Sequence, residues 1–106
     1  MSLSIEQKKR LRTIGHQLKP VVLIGGNGVS ESVLAEIERA LNDHELIKVK
    51  INLPERDDRH AIAEELMNSV KAEVAQVIGK IVLMYRRNPK PNPKLSNILR
   101  YKEFVG

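Results

Sequence analysis

A glycine-rich tetrapeptide, Gly25-Gly26-Asn27-Gly28, is the part of this sequence best suited to binding a ligand. It follows an apolar run, Val21 to Ile24, and precedes an amphipathic stretch that begins at Ser30. A strand that leads through such a turn into a helix presents backbone N–H groups and the positive helix end to an anion such as a phosphate. The Gly-x-x-Gly spacing matches neither the dinucleotide fingerprint nor the nucleotide phosphate loop. It predicts either a clamp for a sugar-phosphate backbone or a plain tight turn in which glycine permits positive φ.

Basic side chains are the second feature with chemical meaning, because they pair with phosphates. The formal net charge is +5, from 18 Lys and Arg against 13 Asp and Glu. Residues 1–20 carry five bases and one acid, residues 21–70 five bases and ten acids, and residues 71–106 eight bases and two acids. Basic ends around an acidic middle predict that one side of the molecule meets a polyanion. The candidate phosphate-binding side chains are Lys8, Lys9, Arg10, Arg12, Lys19, Lys48, Lys50, Lys80, Arg86 and Arg87.

Catalytic and metal-binding patterns are not evident in the sequence. His16, His44 and His60 lie far apart and lack a metal-ligand spacing. The pair Asp57-Asp58 suits a helix start, and the serines have no nucleophile motif around them. We therefore expect no catalytic residue, no metal, no cofactor and no small-molecule substrate.

Aromatic residues and cysteines are scarce. Tyr85, Tyr101 and Phe104 are too few for a stacking surface, so ligand binding would depend on charge, backbone amides and shape. The chain has no cysteine, which suits a reducing compartment. It has no signal-peptide core and no apolar run near the ~18 residues of a membrane span. We expect a cytoplasmic protein without a membrane partner.

The hydrophobic pattern predicts the elements that must position these residues. Strand one is apolar throughout, so we expect it to be buried on both faces. A capping box of Ser4 with Gln7 begins the first helix, and Ser30 caps the second. The predicted order is a helix at 5–16, a strand at 21–24, a helix from 30, a strand at 46–51, a helix ending near 71, and strands at 74–78 and 81–84.

This order predicts an α/β fold, a two-layer sandwich of the form α-β-α-β-α-β-β with a mixed four-stranded sheet. Helical crossovers favour parallel strands, and the Gly79-Lys80 turn closes an antiparallel hairpin. We place one domain at residues 1–87. Prolines at 89, 91 and 93 predict that residues 88–106 form an extended basic tail that does not join the core, in which Leu95 to Phe104 could form one or two helical turns.

Several segments within residues 2–87 carry a resemblance to a known family. They are Leu18 to Ser30, Leu34 to Ile37, His44 to Ile51, Gln76 to Lys80, and Tyr85-Arg86. Together they resemble the CRM domain, most closely its stand-alone bacterial form, the YhbY proteins. The resemblance implies an RNA-binding module of ribosome precursors, a fold similar to the C-terminal domain of translation initiation factor three, and the sheet order 1-2-4-3.

The resemblance also assigns roles to particular residues. It maps the family's G-x-x-G loop onto Gly25 to Gly28 and its basic helix face onto Lys8 to Arg12. Many CRM loops carry a lysine where this chain has Gly26 and Asn27. Binding by this loop would therefore depend more on main-chain amides.

We expect a small, non-enzymatic, monomeric protein that clamps structured ribosomal RNA in a large-subunit precursor. The glycine loop would take the RNA backbone, the helix-one bases with Lys48 and Lys50 would hold phosphates, and the tail would add non-specific charge. Two alternatives are a small-phosphate or nucleotide-binding enzyme that uses the glycine loop, and a ribosome-associated adaptor that contacts proteins through its acidic middle.

Overall fold

A mixed four-stranded β-sheet forms the centre of the structure, a computed structural model that describes residues 3–101. Its elements are α1 (Ile5–Gly15), β1 (Pro20–Ile24), α2 (Glu31–His44), β2 (Leu46–Ile51), α3 (Arg56–Val70), β3 (Glu73–Ile78), β4 (Ile81–Tyr85) and α4 (Asn97–Arg100). The strand order is β1-β2-β4-β3, with β1 parallel to β2 and β4 antiparallel to both β2 and β3. The predicted α/β class is confirmed, as is the strand order that the family resemblance implies.

Side-chain caps begin the first two helices where the sequence predicts them. Ser4 Oγ accepts a hydrogen bond from Gln7 N at 3.1 Å, and Gln7 Oε1 accepts one from Ser4 N at 2.8 Å, which completes the capping box. Ser30 Oγ accepts from Val33 N at 3.2 Å at the start of α2. These caps fix where α1 and α2 begin, and the start of α2 fixes where the glycine loop must end.

The larger hydrophobic core lies between the sheet and the helices α2 and α3. Because side chains alternate along a strand, Ile47, Val49 and Ile51 of β2 all point into this core. Ile37 and Leu41 of α2 contact the same core and are fully buried. The sheet and these two helices form the predicted two-layer sandwich.

Helix α1 packs on the opposite face of the sheet and forms a second, smaller core. Leu11 and Ile14 of α1 pack with Leu46 and Leu83 of the sheet. Gly15 permits this close approach, because a Cβ on it would lie 2.8 Å from a terminal carbon of Leu83. The structure therefore adds a partial helical layer, which the sequence did not predict, to the sandwich.

Strand β1 is buried on one face only, so the expectation that it is buried on both faces is wrong. Val22 and Ile24 are 5% and 0% exposed, whereas Val21 and Leu23 are 50% and 61% exposed. β1 lies at the edge of the sheet, and α1 packs over β2 and β3 instead. The apolar run therefore extends beyond the part of the sheet that α1 covers.

The segment that follows β4 packs against the domain, which differs from the undocked tail expected from its prolines. Ser96 and Asn97 are 0% and 7% exposed, and Asn97 Nδ2 donates a hydrogen bond to Leu46 O at 2.7 Å. Ile98 and Tyr101 pack against the core formed by α1. The division at residue 87 stays a prediction, and residues 102–104 of the predicted helical stretch lie outside the described residues.

Candidate functional site

Gly25 to Gly28 form an exposed turn between β1 and α2. Gly28 N donates a hydrogen bond to Gly25 O at 3.0 Å, and the φ of Gly28 is +69°, a conformation that favours glycine. Positive φ among the described glycines is confined to Gly28 and Gly79. A Cβ built on Gly25 or Gly26 would meet no atom within 4 Å. The turn therefore needs glycine at position 28, whereas Gly25 and Gly26 leave open space beside the main chain.

The first turn of α2 limits how strongly its positive end can attract an anion. Ser30 Oγ already accepts the N–H of Val33, and Glu31 places a carboxylate in the same turn. Helix N-termini attract negative charge, so Glu31 partly neutralises this end. An anion beside the loop would be held mainly by loop amides and by nearby cations.

Lys50 and Lys80 lie at the same end of the sheet as the glycine loop. The parallel strands β1 and β2 both end there, and Asn52 N donates to Ile24 O at 2.7 Å. The turn between β3 and β4 joins this end, because Lys80 O accepts from Ile51 N at 2.7 Å. Lys80 Nζ donates to Asn52 Oδ1 at 3.1 Å and is exposed. The structure thus brings two of the predicted cations close to the predicted clamp.

Lys48 and Lys50 lie on the face of the sheet that carries α1. In the strand register Lys50 pairs with Leu23 of β1 and Ile81 of β4, and its side chain is exposed. Lys48 is half-buried, and its Nζ donates to Leu18 O at 3.1 Å. Lys50 is available to a ligand, whereas Lys48 also ties the loop after α1 to the sheet.

Helix α1 gives this face its positive charge. Lys9 and Arg10 are exposed, and Lys8 and Arg12 are half-buried. The helix carries four basic residues and one acidic residue, whereas α2 and α3 together carry eight acidic and three basic residues. Because α1 and the pair α2–α3 cover opposite faces of the sheet, the charge asymmetry of the sequence becomes an asymmetry between faces. We call the face with α1, Lys48 and Lys50 the basic face.

Arg86 is not brought together with the other candidates. Its Nη1 donates to Glu38 Oε1 at 2.9 Å and to Val70 O at 2.8 Å, and its Nη2 donates to Asn42 Oδ1 at 2.9 Å. These bonds join the end of β4 to α2 and to the end of α3. The neighbouring Arg87 is exposed, as is Lys19 at the start of β1. Arg86 therefore has a clear structural role. The sequence could not show this role, because the hydrogen-bond partners of Arg86 lie 16 to 48 residues away along the chain.

Glu45 is a further important residue that the sequence did not single out. It is 4% exposed, its Oε1 accepts from Ser96 Oγ at 2.8 Å, and its Oε2 accepts from Asn88 N at 3.2 Å. Burial raises the pKa of the neighbouring Tyr85 hydroxyl above its usual 10.0, and the Glu45 carboxylate raises this pKa further. Through its two carboxylate oxygens, Glu45 anchors the segment after β4.

Residues 3–101 contain no group of three or more His, Cys, Asp or Glu placed to hold a metal ion. Over the same residues no helix is long and apolar enough to cross a membrane. His44 has a structural contact instead, since its Nδ1 lies 2.8 Å from Leu95 O.

The CRS1/YhbY (CRM) domain model matches residues 3–86. A protein of Pseudomonas aeruginosa named a probable RNA-binding protein is 58% identical over 101 residues, which cover 95% of this chain and 97% of that protein. A probable RNA-binding protein of Bacillus subtilis is 31% identical over 86 residues, covering 81% of this chain and 90% of that protein. The solution structure of a hypothetical protein from Staphylococcus aureus matches with a TM-score of 0.75 and 33% identity, over 89% of this chain and 97% of that chain. This protein belongs to the CRM domain family and is similar to its stand-alone bacterial members.

Proposed function

We propose that this protein binds structured ribosomal RNA and acts in the assembly of the large ribosomal subunit, as a non-enzymatic monomer in the cytoplasm. The names of its relatives in Pseudomonas aeruginosa and Bacillus subtilis support RNA as the ligand. The ribosomal part of the proposal rests on the resemblance to the stand-alone bacterial CRM proteins. The site itself supports a ligand that carries many phosphates.

The observation that carries the proposal is the pair of glycines that the turn does not need. Positive φ accounts for Gly28, but Gly25 and Gly26 have neither positive φ nor a crowded Cβ position. A residue without a side chain at such a position allows close approach of another molecule to the backbone. In a G-x-x-G clamp that other molecule is the sugar-phosphate backbone of a nucleic acid.

The basic face extends the proposed contact beyond the loop. Lys50 and Lys80 lie beside the clamp, and Lys8, Lys9, Arg10 and Arg12 continue across α1. Lys19 and Arg87 are exposed and would add phosphate contacts at the far end of the sheet. Arg86 is left out of the proposed surface because its guanidinium already bonds to α2 and α3.

The openness of the loop favours this proposal over a small-phosphate or nucleotide-binding enzyme. Small ligands are usually enclosed in concave pockets, whereas the space beside Gly25 and Gly26 is open. A rise in melting temperature on addition of a nucleotide would favour the enzyme. Unchanged ribosome association after charge reversal of α1 would favour a protein adaptor that uses the acidic helices.

The loop is tested by changing Gly26 and Asn27 together to aspartate. Both are exposed, so we expect the melting temperature to change little. Two carboxylates in the clamp should repel phosphates and weaken binding to ribosomal RNA by about tenfold or more. The matched control is Asn68→Asp with Ser69→Asp, which makes the same charge change at two exposed positions in the C-terminal turn of α3. Equal RNA affinities for the two double variants would contradict the clamp.

The identity of the RNA is tested by crosslinking the protein to RNA in cells and sequencing the attached fragments. We expect enrichment of large-subunit ribosomal RNA in particles that sediment before the mature subunit. Fragments drawn mainly from messenger RNA or transfer RNA would overturn the ribosomal part of the proposal. RNA binding itself would then still be judged by the loop variants.

A further inference from the structure

A cationic pocket forms where α4 meets the start of β1 and the loop between α1 and β1. Its volume is about 210 Å³, and three cationic side chains line it: Lys19, Lys48 and Arg100. Arg100 and the adjoining Tyr101 come from the segment after β4, beyond residues 3–86 that match the CRM domain. We call it the C-terminal pocket. The family's domain supplies only part of its wall.

Three hydrogen bonds hold the C-terminal wall of this pocket in place. Asn97 Nδ2 donates to Leu46 O, and Ser96 Oγ donates to the buried carboxylate of Glu45. His44 Nδ1 lies 2.8 Å from Leu95 O, and because a carbonyl oxygen only accepts, this nitrogen carries the hydrogen. Arg100 is therefore presented by an anchored helical turn rather than by a loosely tethered tail.

The chemistry of the lining suits a phosphate. Among the described residues that line the pocket there is no Asp or Glu, so its cations have no internal acidic partner there. The Arg100 guanidinium carbon lies 5.4 Å from the ring centroid of Tyr101, a cation–π distance that orients the guanidinium. Arg binds phosphate oxygens bidentately. Lys48 Nζ donates to Leu18 O, and an ammonium group has three donors in all.

We propose that the C-terminal pocket binds a backbone phosphate of the same RNA, between Arg100, Lys19 and Lys48. Val21 borders the pocket and is 50% exposed, which offers the adjoining ribose an apolar surface. The inference rests on the proposed function, since it takes RNA as the ligand. It adds a contact at the opposite end of β1 from the glycine loop, so one RNA strand would be held at two separated places.

A specific phosphate pocket and a tail that only adds positive charge differ in how much RNA affinity each cationic side chain contributes. Lys94 belongs to the same segment and is exposed like Arg100, but it does not line the pocket. If the segment only added charge, removing either side chain would weaken RNA binding equally. If the pocket holds a phosphate, removal of Arg100 must cost far more.

The experiment compares Arg100→Ala with Lys94→Ala in the full chain, using fragmented large-subunit ribosomal RNA as the probe. We expect Arg100→Ala to weaken binding by about five- to tenfold and Lys94→Ala by less than about twofold. Arg100→Lys should give an intermediate loss, because it keeps the charge without the bidentate fork. Equal losses for Arg100→Ala and Lys94→Ala would overturn the inference.

Two further arms separate the remaining outcomes. If Arg100→Ala lowers the melting temperature, Lys19→Ala replaces it, because Lys19 is exposed and lies in a different wall of the pocket. Inorganic phosphate that saturates the wild-type pocket, with unchanged RNA affinity in Arg100→Ala, would assign the pocket to a small phosphate and overturn the RNA inference. Loss of affinity in the Gly26 and Asn27 variant with none in Arg100→Ala would reject the pocket alone, whereas no loss in either would reject the proposed function.

Discussion

Arg86 and Arg87 are adjacent residues of one type in different environments. Arg86 makes charge-assisted bonds to Glu38, Asn42 and the carbonyl of Val70, while Arg87 is exposed. We expect Arg86→Ala to lower the free energy of unfolding by about 2 kcal/mol, because it removes several bonds to a charged donor. Arg87→Ala should change it by less than about 0.5 kcal/mol.

Urea denaturation followed by circular dichroism measures both variants, and each serves as the control for the other. Arg86→Lys should also destabilise, because lysine lacks the planar fork that reaches three partners. In RNA binding the order should reverse, with Arg87→Ala weakening affinity at unchanged stability. An unfolding energy equal to the wild type for Arg86→Ala would contradict the structural role.

The environment of single residues was only partly predictable from the sequence. The Gly-x-x-Gly spacing pointed to the loop, but it could not show that, within the loop, positive φ is confined to Gly28. Nor could it show that the Arg86 guanidinium is already hydrogen-bonded within the protein or that Glu45 is buried, because their partners lie far along the chain. Local patterns report local conformation, whereas side-chain availability depends on tertiary contacts.

Among the elements, β1 provides a direct test of one-sided burial. Leu23 is 61% exposed and Ile24 is 0% exposed, although they are adjacent apolar residues of one strand. We expect Ile24→Ala to lower the free energy of unfolding by about 3 kcal/mol, because it leaves a cavity in the larger core. Leu23→Ala should cost less than about 0.5 kcal/mol, and comparable losses from both substitutions would mean that this face of β1 is covered.

The segment after β4 provides the second test at this scale. Ending the chain after Asn88 removes the bonds from Ser96 to Glu45 and from Asn97 to Leu46, together with the packing of Ile98. We expect the free energy of unfolding to fall by about 2–4 kcal/mol. Ser96→Ala in the full chain should lose part of this amount, because it removes one bond and the cap of α4. A melting temperature unchanged by the truncation would instead support the sequence-based interpretation that this segment does not pack on the core.

The elements were more predictable than their environment. Periodicity and caps located the three long helices and all four strands of the described chain, because both depend on residues close in sequence. The run of apolar residues in β1 could not show which face of the strand is covered and which is exposed. The sequence did not predict the position of the short α4 firmly, because this helix is stabilised by bonds from Ser96 and Asn97 to partners far along the chain.

Across the whole molecule, the opposite charge of the two faces sets the expected response of RNA binding to salt. With about four to six phosphates neutralised, log K should fall with log salt at about −0.7 to −0.9 per phosphate. Arg10 of α1 and Arg39 of α2 are both exposed helical arginines, but only Arg10 belongs to the basic face.

The salt slopes of Arg10→Ala and Arg39→Ala therefore separate directed binding from general attraction. Both variants lose one positive charge, so a response to net charge alone would shift both equally. If Arg10 contacts a phosphate, its removal should make the slope shallower by about 0.7 to 0.9, while Arg39→Ala keeps the wild-type slope. The measurement is RNA affinity by filter binding between about 50 and 200 mM salt, a range over which such contacts change affinity strongly. Equal slopes for the two variants would mean that the basic face does not determine how the RNA lies on the protein.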